Sequence, residues 1–161
     1  MSVYHDSTTN YSGRTVDMLL LQFVAAPAAD VVVSPDVSRV PRITAGVEKL
    51  AQRFAQLFLT QVGSVMNRGS EGTEFMNALG SGRIYNESTL RAAAAAANKD
   101  VFNQIRTEDL RLGTPDDEML VESTIKDLGL DRARATVSIT FALTTAAGNE
   151  YVYTVPVATG V

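Results

Sequence analysis

Glu71 and Glu74, three residues apart around Gly72-Thr73, form the one arrangement in this chain that could support hydrolysis. A glycosidase needs two carboxyl groups about 5–9 Å apart, one of them protonated by an apolar pocket. The neighbouring residues are polar and supply no such pocket, so a solvated acidic pair is the stronger reading. The single histidine, His5, lies in a polar stretch with no second imidazole to complete a metal cluster. Cysteine is absent, which removes disulfides, thiolate metal sites and thiol nucleophiles. Gly63, Gly69 and Gly72 lack the spacing of a phosphate-binding loop, and Gly80-Ser81-Gly82-Arg83 lacks the rest of a dinucleotide fingerprint. Asp116-Asp117-Glu118 lacks the spacing, glycine and terminal glutamate of an EF-hand; acids facing the positive end of a helix dipole explain it better. We therefore expect a non-enzymatic chain with no metal and no cofactor. Arg132 and Arg134, on alternate residues, could meet an acidic partner or form a solvated rim.

The elements that would carry these residues fit one compact core. With 161 residues the chain has the usual size of a single domain, and 45 % hydrophobic against 20 % charged residues is an ordinary globular balance. A formal charge of -4 disfavours nucleic acid, which selects clustered positive charge. The most apolar run, residues 18–33, is interrupted by Gln22, Pro27 and Asp30 and falls short of the ~20 residues that cross a bilayer. The start, Met1-Ser2-Val3-Tyr4-His5-Asp6, has no basic and apolar succession of a signal peptide, so a soluble protein is expected.

Residues 1–14 read as a polar arm, followed by β-like runs at 16–25 and 29–33 and a proline-punctuated linker at 34–42. From Thr44 the period changes: Val47, Leu50, Phe54, Leu57 and Phe58 follow one helix face, with Gln52 among the residues of the other. Thr44 is the expected N-cap and Gly63 the stop. The stretch 63–72 reads as an irregular loop, 73–79 as a short helix, and Asn86 or Ser88 as the cap of a third helix reaching about Ile105. Thr114-Pro115 with three following acids predicts a fourth helix, its apolar side formed by Met119, Leu120, Ile125 and Leu128, closed by Gly129. Then the period becomes two. Val137, Ile139, Phe141 and Leu143, and after Gly148-Asn149 Tyr151, Tyr153, Val155 and Val157, predict an antiparallel hairpin. Pro156 cannot donate to a ladder and favours an edge or a strand end. The expected class is α+β: an N-terminal β-like arm (1–42), then a helical core and a C-terminal antiparallel hairpin (43–161).

The segment Leu57-Phe58-Leu59-Thr60, Gly63, Val65, Met66, Arg68, Phe75 and Leu79 resembles the small baseplate wedge, or sheath-initiator, family of contractile phage tails. That family shows an amphipathic helix ending in a leucine-threonine pair, a glycine after a short gap, and a basic loop leading to phenylalanine. Ser64 and Met76 stand where the family commonly has glutamate and glycine, and the loop is longer here. Arg106-Thr107-Glu108-Asp109 and Arg132-Ala133-Arg134 are only weak substitutes for its glutamate-proline-arginine motif. The resemblance implies a structural virion protein of the tail baseplate, assembled in the host cytoplasm, with about six copies around the tail. Its partners would be other wedge proteins, sheath and tube proteins, and its C-terminal strands would template the first sheath ring. The partner contacts it implies are Thr60, Gly63, Arg68, Phe75, Arg132, Arg134, Tyr151, Tyr153 and Val155. A bacterial regulatory or interaction domain of the same fold is the alternative, and a cell-wall glycoside hydrolase using Glu71 and Glu74 a remoter one.

Overall fold

A computed structural model describes residues 17–18, 21–25, 31–35, 43–131 and 133–158. It is an α+β fold. Short strands β1 (Asp17–Met18), β2 (Leu21–Ala25), β3 (Val31–Pro35) and β4 (Ile43–Thr44) come first. Helices α1 (Gly46–Leu59), α2 (Phe75–Gly80) and α3 (Glu87–Leu112) follow, then β5 (Leu120–Asp131), β6 (Thr136–Thr145) and β7 (Glu150–Ala158). One sheet has the order β2-β3-β7-β6-β5, antiparallel throughout except for the β3–β7 pair, and β1 pairs separately with β4. The expected hairpin is β6–β7, with Phe141 opposite Tyr153 and Ile139 opposite Val155. His5, residues 26–30 and Arg132 lie outside the described residues.

The apolar stripe of α1 does what its period demands. Leu50, Phe54 and Phe58 are buried, with Ala51 and Ala55 between them. Phe141, at the centre of β6, receives them: its ring lies 5.2 Å from Phe54, 4.9 Å from Phe58 and 5.7 Å from Tyr153. Phe75 of α2 closes the group at 4.8 Å from Phe58. Tilted and edge-on aromatic pairs at these separations add about 0.5–1.5 kcal/mol each beyond area burial.

Gln52, expected on the solvated face of α1, is fully buried and donates to the Asp17 carboxylate of β1 at 3.4 Å. Thr44 does not cap α1. Ala45 holds the cap position without a side-chain bond, and the Glu118 carboxylate accepts from the Gly46 N–H at 3.0 Å instead. A buried carboxylate 72 residues away thus satisfies the helix terminus, and it also pairs with Lys49 at 2.8 Å. The other end stops before Gly63: α1 closes at Leu59, with the Thr60 hydroxyl donating to the Gln56 carbonyl at 2.7 Å.

Helix α3 begins as expected, with Asn86 and Thr89 forming a reciprocal capping box. It runs past Ile105 to Leu112, because the first residue suited to end it is Gly113, left-handed at φ 65. Its buried line is Leu90, Ala94, Ala97, Val101, Ile105 and Asp109.

The fourth helix does not form; residues 120–131 are strand β5. A single turn starts at Pro115, whose carbonyl accepts from both Glu118 and Met119. Continuing it would join the Leu120 N–H to the Asp116 carbonyl. Tertiary partners take both groups: Leu120 donates to the buried Asp109 carboxylate at 3.2 Å, and Asp116 accepts from Ala147 of the hairpin loop at 3.0 Å. The chain then goes extended through the β-branched Val121, Thr124 and Ile125 and pairs with β6.

Candidate interaction site

The end of α1 and the loop after it are held as one unit. The Thr73 N–H donates to the Thr60 carbonyl at 2.8 Å, and the Thr73 hydroxyl to the Phe58 carbonyl at 2.8 Å. From the other side Gln104 of α3 grips Gly72, its amide donating to the Gly72 carbonyl at 2.8 Å and accepting from the Gly72 N–H at 3.0 Å. Gly72 sits at φ +98, and a Cβ there would fall 2.4 Å from the Thr60 carbonyl oxygen, so only glycine lets the strands approach. Both bases of the loop are pinned and its middle stands out in solvent. Met66 at the tip is 88 % exposed, a large apolar side chain with almost no cover.

Beneath the loop, α1 and α3 border a cleft of about 700 Å³. Leu57 and Val65 give it apolar wall; Arg53, Arg68, Glu71, Glu108 and Arg111 give it charge of both signs. Arg53 bridges α1 to α3 through 2.7 Å contacts to both Glu108 and the buried Asp109. Asp109 also accepts from the Thr114 hydroxyl at 3.1 Å, so one carboxylate ties together α1, the end of α3 and the start of β5.

The two acids that could have formed a hydrolytic pair have different ion-pair partners. Glu71 faces the cleft and pairs with Arg68 at 3.3 Å, whereas Glu74 borders a different hollow and pairs with Arg83 at 3.6 Å. Among the described residues no group of three or more acids and histidines is placed to hold a metal ion, and no helix is long and apolar enough to cross a membrane.

The residues expected to contact partners fall into three sets. Thr60 and Arg68 line the cleft together, and Gly63 makes a left-handed turn (φ +82) at the base of the same loop. Phe75, Tyr153 and Val155 are a correction: they are 1 %, 0 % and 2 % exposed, and their side chains belong to the core of this chain. The inward side of α2 takes up Phe75, and the inward face of the hairpin takes up Tyr153 and Val155. Arg134 is 85 % exposed in the β5–β6 turn beside Asp131, and Tyr151 is half-buried at the other end of the hairpin. Burial pushes the Tyr151 phenol above the ordinary tyrosine range, with Glu48 adding to it. Burial does the same to Tyr153, with Tyr151 adding to it. Met66 carries part of the resemblance without being among the contacts it implies, and Gln104 and the Arg53–Asp109 bridge have no place in the sequence reading. The signal for Met66 was an apolar residue inside a glycine-rich loop; for the other two no local pattern exists.

No protein-family model, curated protein or solved structure matches this chain.

Proposed function

We propose that this chain is a structural, non-enzymatic subunit of a contractile tail baseplate. It joins the inner wedge complex around the tube and offers its C-terminal strands as the pairing template for the first sheath ring. The observation that carries this reading is the outer edge of β7, which takes up a strand from far along the chain, β3, in parallel register. The registered pairs of β3 take up only Tyr153 and Thr154 of β7, so a sheath strand would pair along the remainder of that edge, with main-chain hydrogen bonds giving affinity and side-chain alternation giving register. The resemblance around Leu57–Phe75 supplies the identity of the machine. The pinned loop with exposed Met66 and Arg68 supplies a second contact, towards the wedge.

Cutting away residues 150–161 cannot test this, because it removes the buried Tyr153, Val155 and Val157 with the edge. The direct test is mass spectrometry and mapping of purified tail particles, in which the chain should sit at the sheath-proximal baseplate. Tails that assemble without it would sink the proposal. The loop arm is tested by Met66→Asp with Arg68→Glu, which should leave the melting temperature unchanged and prevent incorporation into baseplates.

A further inference from the structure

The five-stranded sheet has one weak seam. Strands β2 and β3 are joined through five registered pairs, from Leu21–Pro35 to Ala25–Val31. Strands β6 and β7 are joined through nine, from Thr136–Ala158 to Thr144–Glu150. Between these units β3 meets β7 through two pairs alone, Val31–Tyr153 and Val32–Thr154. Parallel pairing is slightly weaker per residue than antiparallel. Two residues beyond Thr154, Pro156 has no N–H to offer a ladder, and the registered pairs stop short of it.

We propose that the β2–β3 hairpin is exchanged between copies, β3 of one copy seating on β7 of the next. The occupant is a second copy of this chain, because its hairpin carries the identical strand in the identical register. Two residues separate β1 from β2, so β1 travels with the hairpin. Exchange reforms the β1–β4 pairs and the Gln52–Asp17 bond as well as both β3–β7 pairs and changes only which chain supplies them, the low-cost route by which swapped elements join protomers. Residues 36–42, which connect β3 to β4, can span about 25 Å when extended. Each copy has one hairpin to give and one β7 edge to receive, so the contact is head-to-tail and closes into a ring wherever the rotation permits. The inference deepens the proposed function, since a baseplate ring holds copies side by side, and it rests on that reading only for where exchange would be used.

The chain has no cysteine, so introduced thiols are the only ones present. Val32→Cys and Thr154→Cys place a thiol on each side of the seam, at directly paired positions. Purified chains carrying one substitution each are mixed, unfolded, refolded together and treated with a short bismaleimide. A connector of this kind gives the closed form an effective concentration of about 1 mM, so the mixture is taken up to that range. The expected result is a two-chain product in the mixture, rising with concentration and well above that of either single variant alone. The double variant should give both one-chain and two-chain products. A one-chain product in the double variant with no two-chain product in the mixture overturns the proposal, and so does the absence of both products. Because the readout uses purified chain, its failure leaves the tail assignment standing, and tails without the chain leave the exchange standing.

Discussion

Strands β5 and β6 lie side by side along their whole length, yet one announces itself in the sequence and the other reads as a helix. In β6 the inward residues Val137, Ile139, Phe141 and Leu143 recur at every second position. In β5 the residues opposite them are Leu130, Leu128, Ile125 and Ser123, and Leu120 faces Thr145. Register shifts after Leu120 and Ile125 insert Val121 and Lys126 as extra residues, both exposed. The inward positions of β5 therefore run 120, 123, 125, 128, 130, alternating steps of three and two. That spacing imitates a helix face. A bulge erases the period that defines a strand while leaving the strand intact, and bulges on an outer strand also hinder unwanted pairing.

Deletions break this comparison most sharply. Removing Thr140 from β6 shifts Val137 and Ile139 to the opposite face of the sheet, and the variant should show no cooperative thermal unfolding. Removing Lys126 from β5 instead restores regular pairing, and urea titration should show a loss below about 1 kcal/mol, in the range of the exposed Lys126–Glu150 pair it also removes. A tolerated Thr140 deletion or an unfolded Lys126 deletion would overturn the bulge account.

Between these extremes lies Asp109→Ala. It strips Arg53 of a buried partner and leaves the Leu120 N–H without its acceptor. The expected cost is about 3–5 kcal/mol by denaturant titration, with Asp109→Asn recovering part of it. A loss under 1 kcal/mol would remove the carboxylate from the account of why residue 120 leaves the helical path. Gly129→Ala should cost about 1–3 kcal/mol, because its Cβ would stand 2.6 Å from the Ser138 hydroxyl. Adding Ser138→Gly should recover most of that. Failure of the second substitution to rescue would place the strain elsewhere.

Local rules made much of the molecule legible. The α1 stripe, the short helix leading from Phe75, the Asn86 cap and the β6–β7 hairpin each depend on residues within a few positions of one another. What resisted reading depends on partners far along the chain. Glu118 looks like a dipole acid of its own helix and is the cap of α1. Gln52 looks solvent-facing and is buried under β1. Of the candidate site, the loop and Thr60, Gly63 and Arg68 were visible in sequence. Phe75, Tyr153 and Val155 were misassigned because an apolar side chain does not state whether it faces its own core or a partner.

The seam between β3 and β7 belongs to the same class. Sequence by itself determined that β-like runs precede the helices, where β2 and β3 lie, that Pro156 has no N–H for a ladder, and that residues 137–157 alternate as a hairpin. Only the tertiary structure decided that β3 runs parallel to β7, that α1 is capped by Glu118, and that the stretch after Pro115 goes extended. Helix and strand periods are properties of neighbouring residues, whereas a hydrogen-bond donor takes whichever acceptor the folded chain brings within reach.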